Sequence, residues 1–200
     1  MRFAFKNNQH CPKLAAAWLR VIENHDVTLL QLTQELKAFD DKAPEYDWAM
    51  VYYAGDGIEV GSVNYLIPVD AELATSTHVH DEAMPLDRVL TKGAKKLRLV
   101  ILDACRENPF AAKMASACST RSIGRGFVAG QGRTVAQDGD GLNSPFAQSL
   151  LEHLGEAGLE INMLFRHMHD DMKARTAGQQ EPFTFGALPA EALFFKAASQ

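Results

Sequence analysis

Two apolar runs decide the fold: Leu97-Arg98-Leu99-Val100-Ile101-Leu102-Asp103-Ala104 and, upstream, Trp48-Ala49-Met50-Val51-Tyr52-Tyr53-Ala54, which ends at Gly55. Both are of strand length and rich in β-branched or aromatic residues. Near-continuous apolar strands suit a sheet covered on both faces, as parallel sheets are. The segments around them read as helices. Leu29, Leu32, Leu36 and Phe39 fall three or four apart, with Asp26 or Thr28 as the cap. Asn143-Ser144-Pro145 is a helix start, and that helix stops at Gly155. A further helix spans about 160–176, with Ile161, Leu164, Phe165, Met168 and Met172 on its core face and Gly178 as terminator. Alternating strands and helices give an α/β fold with a mostly parallel sheet and helices on both faces. The stretch 113–142 is rich in Gly, Ser, Arg and Asp, has no sustained period, and reads as a long exposed loop.

The chain has 200 residues, 46% hydrophobic and 22% charged, which suits one folded domain able to bury a core without staples. Its formal charge of −5 excludes a basic footprint for nucleic acid spread over the whole chain. No apolar run approaches the roughly 18 residues of a membrane span, and residues 1–6 carry no secretory core. Cys11, Cys105 and Cys118 are three cysteines without a CxxC pair, so neither a disulfide framework nor a zinc site is indicated. A cytoplasmic location is expected, with no nucleic-acid or membrane partner.

Open α/β sheets place chemistry beyond the carboxyl ends of their strands. Ala54-Gly55-Asp56-Gly57 closes one run, and Leu102-Asp103-Ala104-Cys105-Arg106 closes the other. Cys105 is therefore a candidate nucleophile, although a free cysteine is most often a small buried hydrophobe.

Four ordered stretches carry a resemblance: Tyr53-Ala54-Gly55-Asp56-Gly57; Gly61 with Asn64-Tyr65-Leu66-Ile67-Pro68-Val69-Asp70; Leu102-Asp103-Ala104-Cys105-Arg106-Glu107-Asn108-Pro109-Phe110; and Asp138-Gly139-Asp140-Gly141-Leu142-Asn143-Ser144-Pro145-Phe146. Over residues 20–195 the chain resembles bacterial caspase-like cysteine peptidases, the clan that includes metacaspases. The resemblance implies a three-layer caspase-like domain over 1–200: a larger-subunit-like part to about 112, the loop 113–142, and a smaller-subunit-like part from 143. It implies Cys105 as the thiol nucleophile, the Gly57 backbone N–H as an oxyanion donor, and Asp103 as one acidic wall of a pocket for a basic P1 side chain. The substrate would be a peptide or protein, and the partner could equally be an active caspase-like relative.

The departure that matters is Asp56. The family reads Gly-His-Gly where this chain reads Gly55-Asp56-Gly57, about 50 residues before the cysteine. A neighbouring imidazolium draws a thiol toward thiolate, and a carboxylate opposes it. A carboxylic acid titrating near 4 is also a poor proton donor to a leaving amine at neutral pH. The reading is a caspase-like homologue with impaired catalysis. Its alternatives are an active endopeptidase using a relocated histidine (His78, His80, His153, His167 or His169) or a partner-supplied base, and a non-catalytic α/β interaction domain.

Other features read as structural. His167, His169, Asp170 and Asp171 suggest metal on paper, but His167 and His169 lie two apart on a helix and point to different faces, so no metal site is expected. Some metacaspases are calcium-activated, which makes calcium the one ion the resemblance implies. Asp138-Gly139-Asp140-Gly141 itself reads as a turn without the bidentate glutamate of an EF-hand. Arg121-Ser122-Ile123-Gly124-Arg125-Gly126 reads as a solvated loop, or as a self-processing site if the resemblance extends to maturation. The family's long first strand is shortened or missing. Only residues 2–6 stand for it, 18–23 follow as its second strand, and Gly130 to Ala136 is a thin substitute for a later one.

Overall fold

The computed structural model of the chain describes residues 1–6, 20–61, 63–89, 93–106, 126–131, 144–180, 182–186 and 188–198. Its spine is one sheet. Strands β1 (Arg2–Lys6), β2 (Arg20–Glu23), β3 (Trp48–Val60), β6 (Leu97–Arg106), β7 (Gly126–Gln131) and β8 (Pro182–Phe185) run in the order β2-β1-β3-β6-β7-β8. Two further strands, β4 (Val63–Leu66) and β5 (Met84–Pro85), extend the sheet from the far half of β3.

The two apolar runs are central neighbours, paired in parallel from Trp48↔Leu97 onward. β7 joins β6 in parallel as well. Every other pairing in the described sheet is antiparallel, so the sheet is mixed rather than mostly parallel. The apolar runs report burial on both faces, and burial alone does not set the direction of the flanking strands.

Side-chain alternation along β3 and β6 feeds two cores, one on each face. Ala49, Val51, Tyr53, Val100, Leu102 and Ala104 pack against α1 (Leu29–Lys42) through Leu32, Leu36 and Phe39. Trp48, Leu97, Leu99 and Ile101 pack against α4 (Pro145–Leu154) and α5 (Ile161–Arg175) through Phe146, Leu150, Ile161, Leu164, Phe165, Met168 and Met172. The arrangement is three layers with helices on both faces, as expected. Each of these large apolar side chains contributes about 1.5–3 kcal/mol by leaving water.

Local signals set the helix starts. Thr28 caps α1 in a reciprocal box with Gln31. Asp70 accepts the Leu29 N–H at 2.9 Å, which ties the exit of β4 to the start of α1. Ser144 caps α4, with Pro145 in the first turn. Two short helices, α2 (His78–Glu82) and α3 (Leu86–Val89), lie between β4 and β6, so His78 and His80 sit on a helical turn.

Three boundaries differ from the sequence reading. β3 does not stop at Gly55 but continues to Val60, because β4 takes up its far half as a new antiparallel partner through the turn at Gly61, φ 58°. β6 likewise runs on to Arg106. The first strand is short and falls at Arg2–Lys6, as read, seated between β2 and β3. The stretch read as one long loop contains β7 at Gly126–Gln131, earlier than the Gly130 to Ala136 segment chosen for it. Its small residues hide a strand whose partner, β6, supplies the ladder. Among the described residues no helix is long and apolar enough to cross a membrane.

One buried ion pair locks α1 to the sheet. Arg98, 2% exposed, meets Asp40 of α1 at 2.9 Å, donates to the Val89 carbonyl, and lies over the Phe39 ring. Burial holds its guanidinium below the usual arginine range against the pull of Asp40. Its Nε and Nη1 are buried without a hydrogen bond among the described residues. Removing one partner of such a pair costs more than replacing the charge with apolar volume. Asp40→Ala is therefore expected to lower stability by about 3–5 kcal/mol in urea unfolding. Arg98→Met should cost clearly less, and the reverse order would contradict this account.

Candidate active site

The parallel ladder of β3 and β6 brings the two sequence motifs side by side at the carboxyl ends of the strands. Ala54 pairs with Asp103, Gly55 with Ala104, Asp56 with Cys105 and Gly57 with Arg106. Adjacent strands lie about 4.8 Å apart, so positions 56 and 105 are nearest neighbours across the ladder. The Cys105 and Arg106 side chains lie outside the described residues, as do Glu107 to Phe110, Arg121 to Arg125 and Asp138 to Asn143.

The backbone at Asp56 has a fixed orientation. Its carbonyl accepts from the Ile67 N–H at 3.0 Å, on the β4 side. No peptide in the chain's described part is cis. The Gly57 N–H of the same trans peptide consequently faces the opposite way, toward β6. The Asp56 side chain is exposed.

Tyr53 explains the glycine before it. The phenol lies 2.8 Å from the Asp56 carbonyl and 2.9 Å from that of Ile67, which it serves as donor. A Cβ on Gly55 would stand 2.9 Å from the phenolic oxygen, and its φ of 155° suits glycine. Burial first, then the nearby charge of Asp56, pushes the Tyr53 phenol well above its usual value.

Asp103 is buried and held by two hydroxyls. Tyr52 donates to its Oδ2 at 2.8 Å, and Ser144 donates to the same oxygen at 2.5 Å. Ser144 also accepts the Ala147 N–H at 3.0 Å as the cap of α4. One hydroxyl thus satisfies a helix terminus and orients a carboxylate beside the positive end of the helix dipole. Sequence reasoning found Ser144 as a cap but missed its second bond, which spans 41 residues. It also missed Tyr52, whose place in an apolar run gave no polar signal.

The described histidines are engaged elsewhere. His25 pairs with Glu23, His78 with Glu82, His80 with the Tyr65 hydroxyl, and His169 with Asp170. His153 meets Glu156 and Asp171, and its ring packs edge-on to His167. His153 lies nine residues along α4 from Ser144, about 13 Å away along the axis. It is half-buried.

Comparison with protein families supplies the remaining observation. The model of the peptidase C14 caspase domain matches residues 2–193. The chain belongs to the caspase domain family. A search of curated proteins finds no match. A caspase domain is a peptidase-family fold, and its two core strands here carry Asp56 and Cys105 in register.

The hydroxyl pair on Asp103 should be energetically coupled. Ser144→Ala and Tyr52→Phe are each expected to cost about 1–2 kcal/mol in chemical unfolding. In an Asp103→Asn background each should cost visibly less, since the charge that strengthens both bonds is gone. Full additivity would show that the bonds to Asp103 contribute nothing.

Proposed function

We propose that this caspase domain holds its nucleophile position at Cys105 and an acidic group, Asp56, in place of the family's histidine, and that it has lost efficient peptidase turnover. The register pair Asp56↔Cys105 carries the reading, because it sets a carboxylate-bearing position beside the cysteine-bearing one.

The consequences follow from charge. Peptide cleavage needs the thiol to give up its proton, attack the carbonyl carbon, and see a proton delivered to the departing amine. Imidazolium beside the sulfur serves both ends of that sequence. An anion there opposes thiolate formation and at neutral pH carries no proton to give. The family role of the Gly57 N–H is to bind a developing oxyanion; here that N–H faces β6 within the ladder pair Gly57↔Arg106, and a backbone donor cannot in any case replace the missing acid.

Binding survives this loss. Asp56 is exposed and Asp103 is buried at the same strand ends, so the site favours a cationic side chain. The substrate class is a peptide or protein segment presenting Arg or Lys, held more readily than cut. An active caspase-like relative is the second partner this chemistry fits. Calcium at Asp138 and Asp140 rests on the family resemblance alone.

Wild-type protein should give no Cys105-dependent hydrolysis of Arg- or Lys-directed fluorogenic peptides, with or without calcium. Asp56→His should introduce turnover about a hundredfold or more above wild type, the scale of general acid–base catalysis. Clear wild-type turnover that vanishes in Cys105→Ala would refute the proposal. So would a folded Asp56→His variant that stays silent, since position 56 would then not be limiting.

A further inference from the structure

Away from the strand ends, the junction of α4 and α5 gathers a different chemistry. His153 stands in the last turn of α4, Glu156 follows one residue past the Gly155 cap, and His167 faces them from α5. One ligand atom from each of the three lies within 4.8 Å of the other two. The sequence reading grouped His167 with its neighbours His169, Asp170 and Asp171 and found no convergence. The convergence comes instead from a second helix.

The imidazole of His153 is flanked by carboxylates at both ends. Its Nε2 lies 2.8 Å from Asp171 Oδ2, and its Nδ1 lies 2.6 Å from Glu156 Oε1. A neutral imidazole has one N–H and one lone pair, so it can donate to only one of them. Asp171 is the better-fixed acceptor. It also takes the hydroxyl of fully buried Ser149 at 3.0 Å and has Arg175 at 3.8 Å. That assigns the N–H to Nε2 and leaves the Nδ1 lone pair aimed at Glu156, where a cation is required. A proton would satisfy His153 and Glu156 and leave His167 as an edge-on ring neighbour only, with its donor atom within 4.8 Å of theirs. A metal ion uses all three.

We propose that His153, Glu156 and His167 bind a divalent transition-metal ion, Zn2+ by their chemistry, with Asp171 as the supporting carboxylate behind His153. Two imidazoles and one carboxylate are a zinc donor set, whereas Ca2+ and Mg2+ ask for oxygen alone. The chain Asp171–His153–metal is the arrangement in which a carboxylate fixes the tautomer of a ligating histidine. Zinc bonds of 2.0–2.2 Å would require the three donor atoms, which lie within 4.8 Å of one another, to draw in toward a common centre. Three protein ligands leave a fourth position for water. The ion would join the C-terminal end of α4 to α5, on the helix whose other end holds Asp103 through Ser144. The inference is independent of the catalytic state of the strand ends.

The test uses the untagged, metal-free full chain titrated with Zn2+, read by its thermal unfolding midpoint. A stoichiometric site should raise that midpoint by about 5 °C at a hundredfold excess over Kd. Asp171→Asn should weaken binding by about 10–100-fold. His167→Ala should abolish the effect, and Glu156→Gln, at an exposed position, should weaken it at least about tenfold. Cys105→Ala should leave it unchanged. No rise in the wild type, a rise that survives both His167→Ala and Glu156→Gln, or one lost with Cys105→Ala would overturn the assignment.

Discussion

The parallel ladder between β3 and β6 is the constraint on which the rest depends. It runs from Trp48↔Leu97 to Gly57↔Arg106 without a break. Its first half is a core device, because alternate residues of both strands feed the helices on either face. Its second half is a site device, because the same register carries Ala54, Asp56, Asp103 and Cys105 to one end of the sheet. A one-residue slip would exchange the two faces of the core and separate Asp56 from Cys105 together. Packing therefore holds the chemistry in register.

The helices are bound to that ladder by buried polar pairs as well as by apolar contact. Arg98 reaches α1 through Asp40, and Asp103 reaches the start of α4 through Ser144. Neither pair is a large net source of stability once the cost of desolvation is counted. Their effect is positional. Each fixes a helix at one height along the sheet, and the second does so at the site itself.

Much of this was legible in the sequence, for physical reasons that can be named. The runs 48–54 and 97–104 announce buried strands by composition. Thr28 and Ser144 announce helix starts because capping is a local interaction. The core face of α5 was readable residue by residue from its period. What failed was whatever depended on a distant partner. β3 could not be followed past Gly55 because its far half is stabilised by β4. β7 was hidden because its small residues take their order from β6. The antiparallel flanks could not be told from parallel ones, since strand direction is set by the pairing partner and not by a strand's own composition. Tyr52 and the Ser144 hydroxyl acquire their roles only when Asp103 arrives from another strand. The grouping of His153 with His167 needs the α4–α5 packing.

The family match establishes a caspase domain, and the loss of turnover proposed for it rests on a single side chain, Asp56, whose charge is opposite to that of an imidazolium. The most direct measurement is the rate of iodoacetamide alkylation at Cys105 as a function of pH, in the wild type and in Asp56→Asn. The account predicts a wild-type midpoint above the ordinary thiol value of about 8.5, moving down when the carboxylate is neutralised. A wild-type midpoint below about 7.5, unmoved by Asp56→Asn, would show an activated sulfur and contradict it.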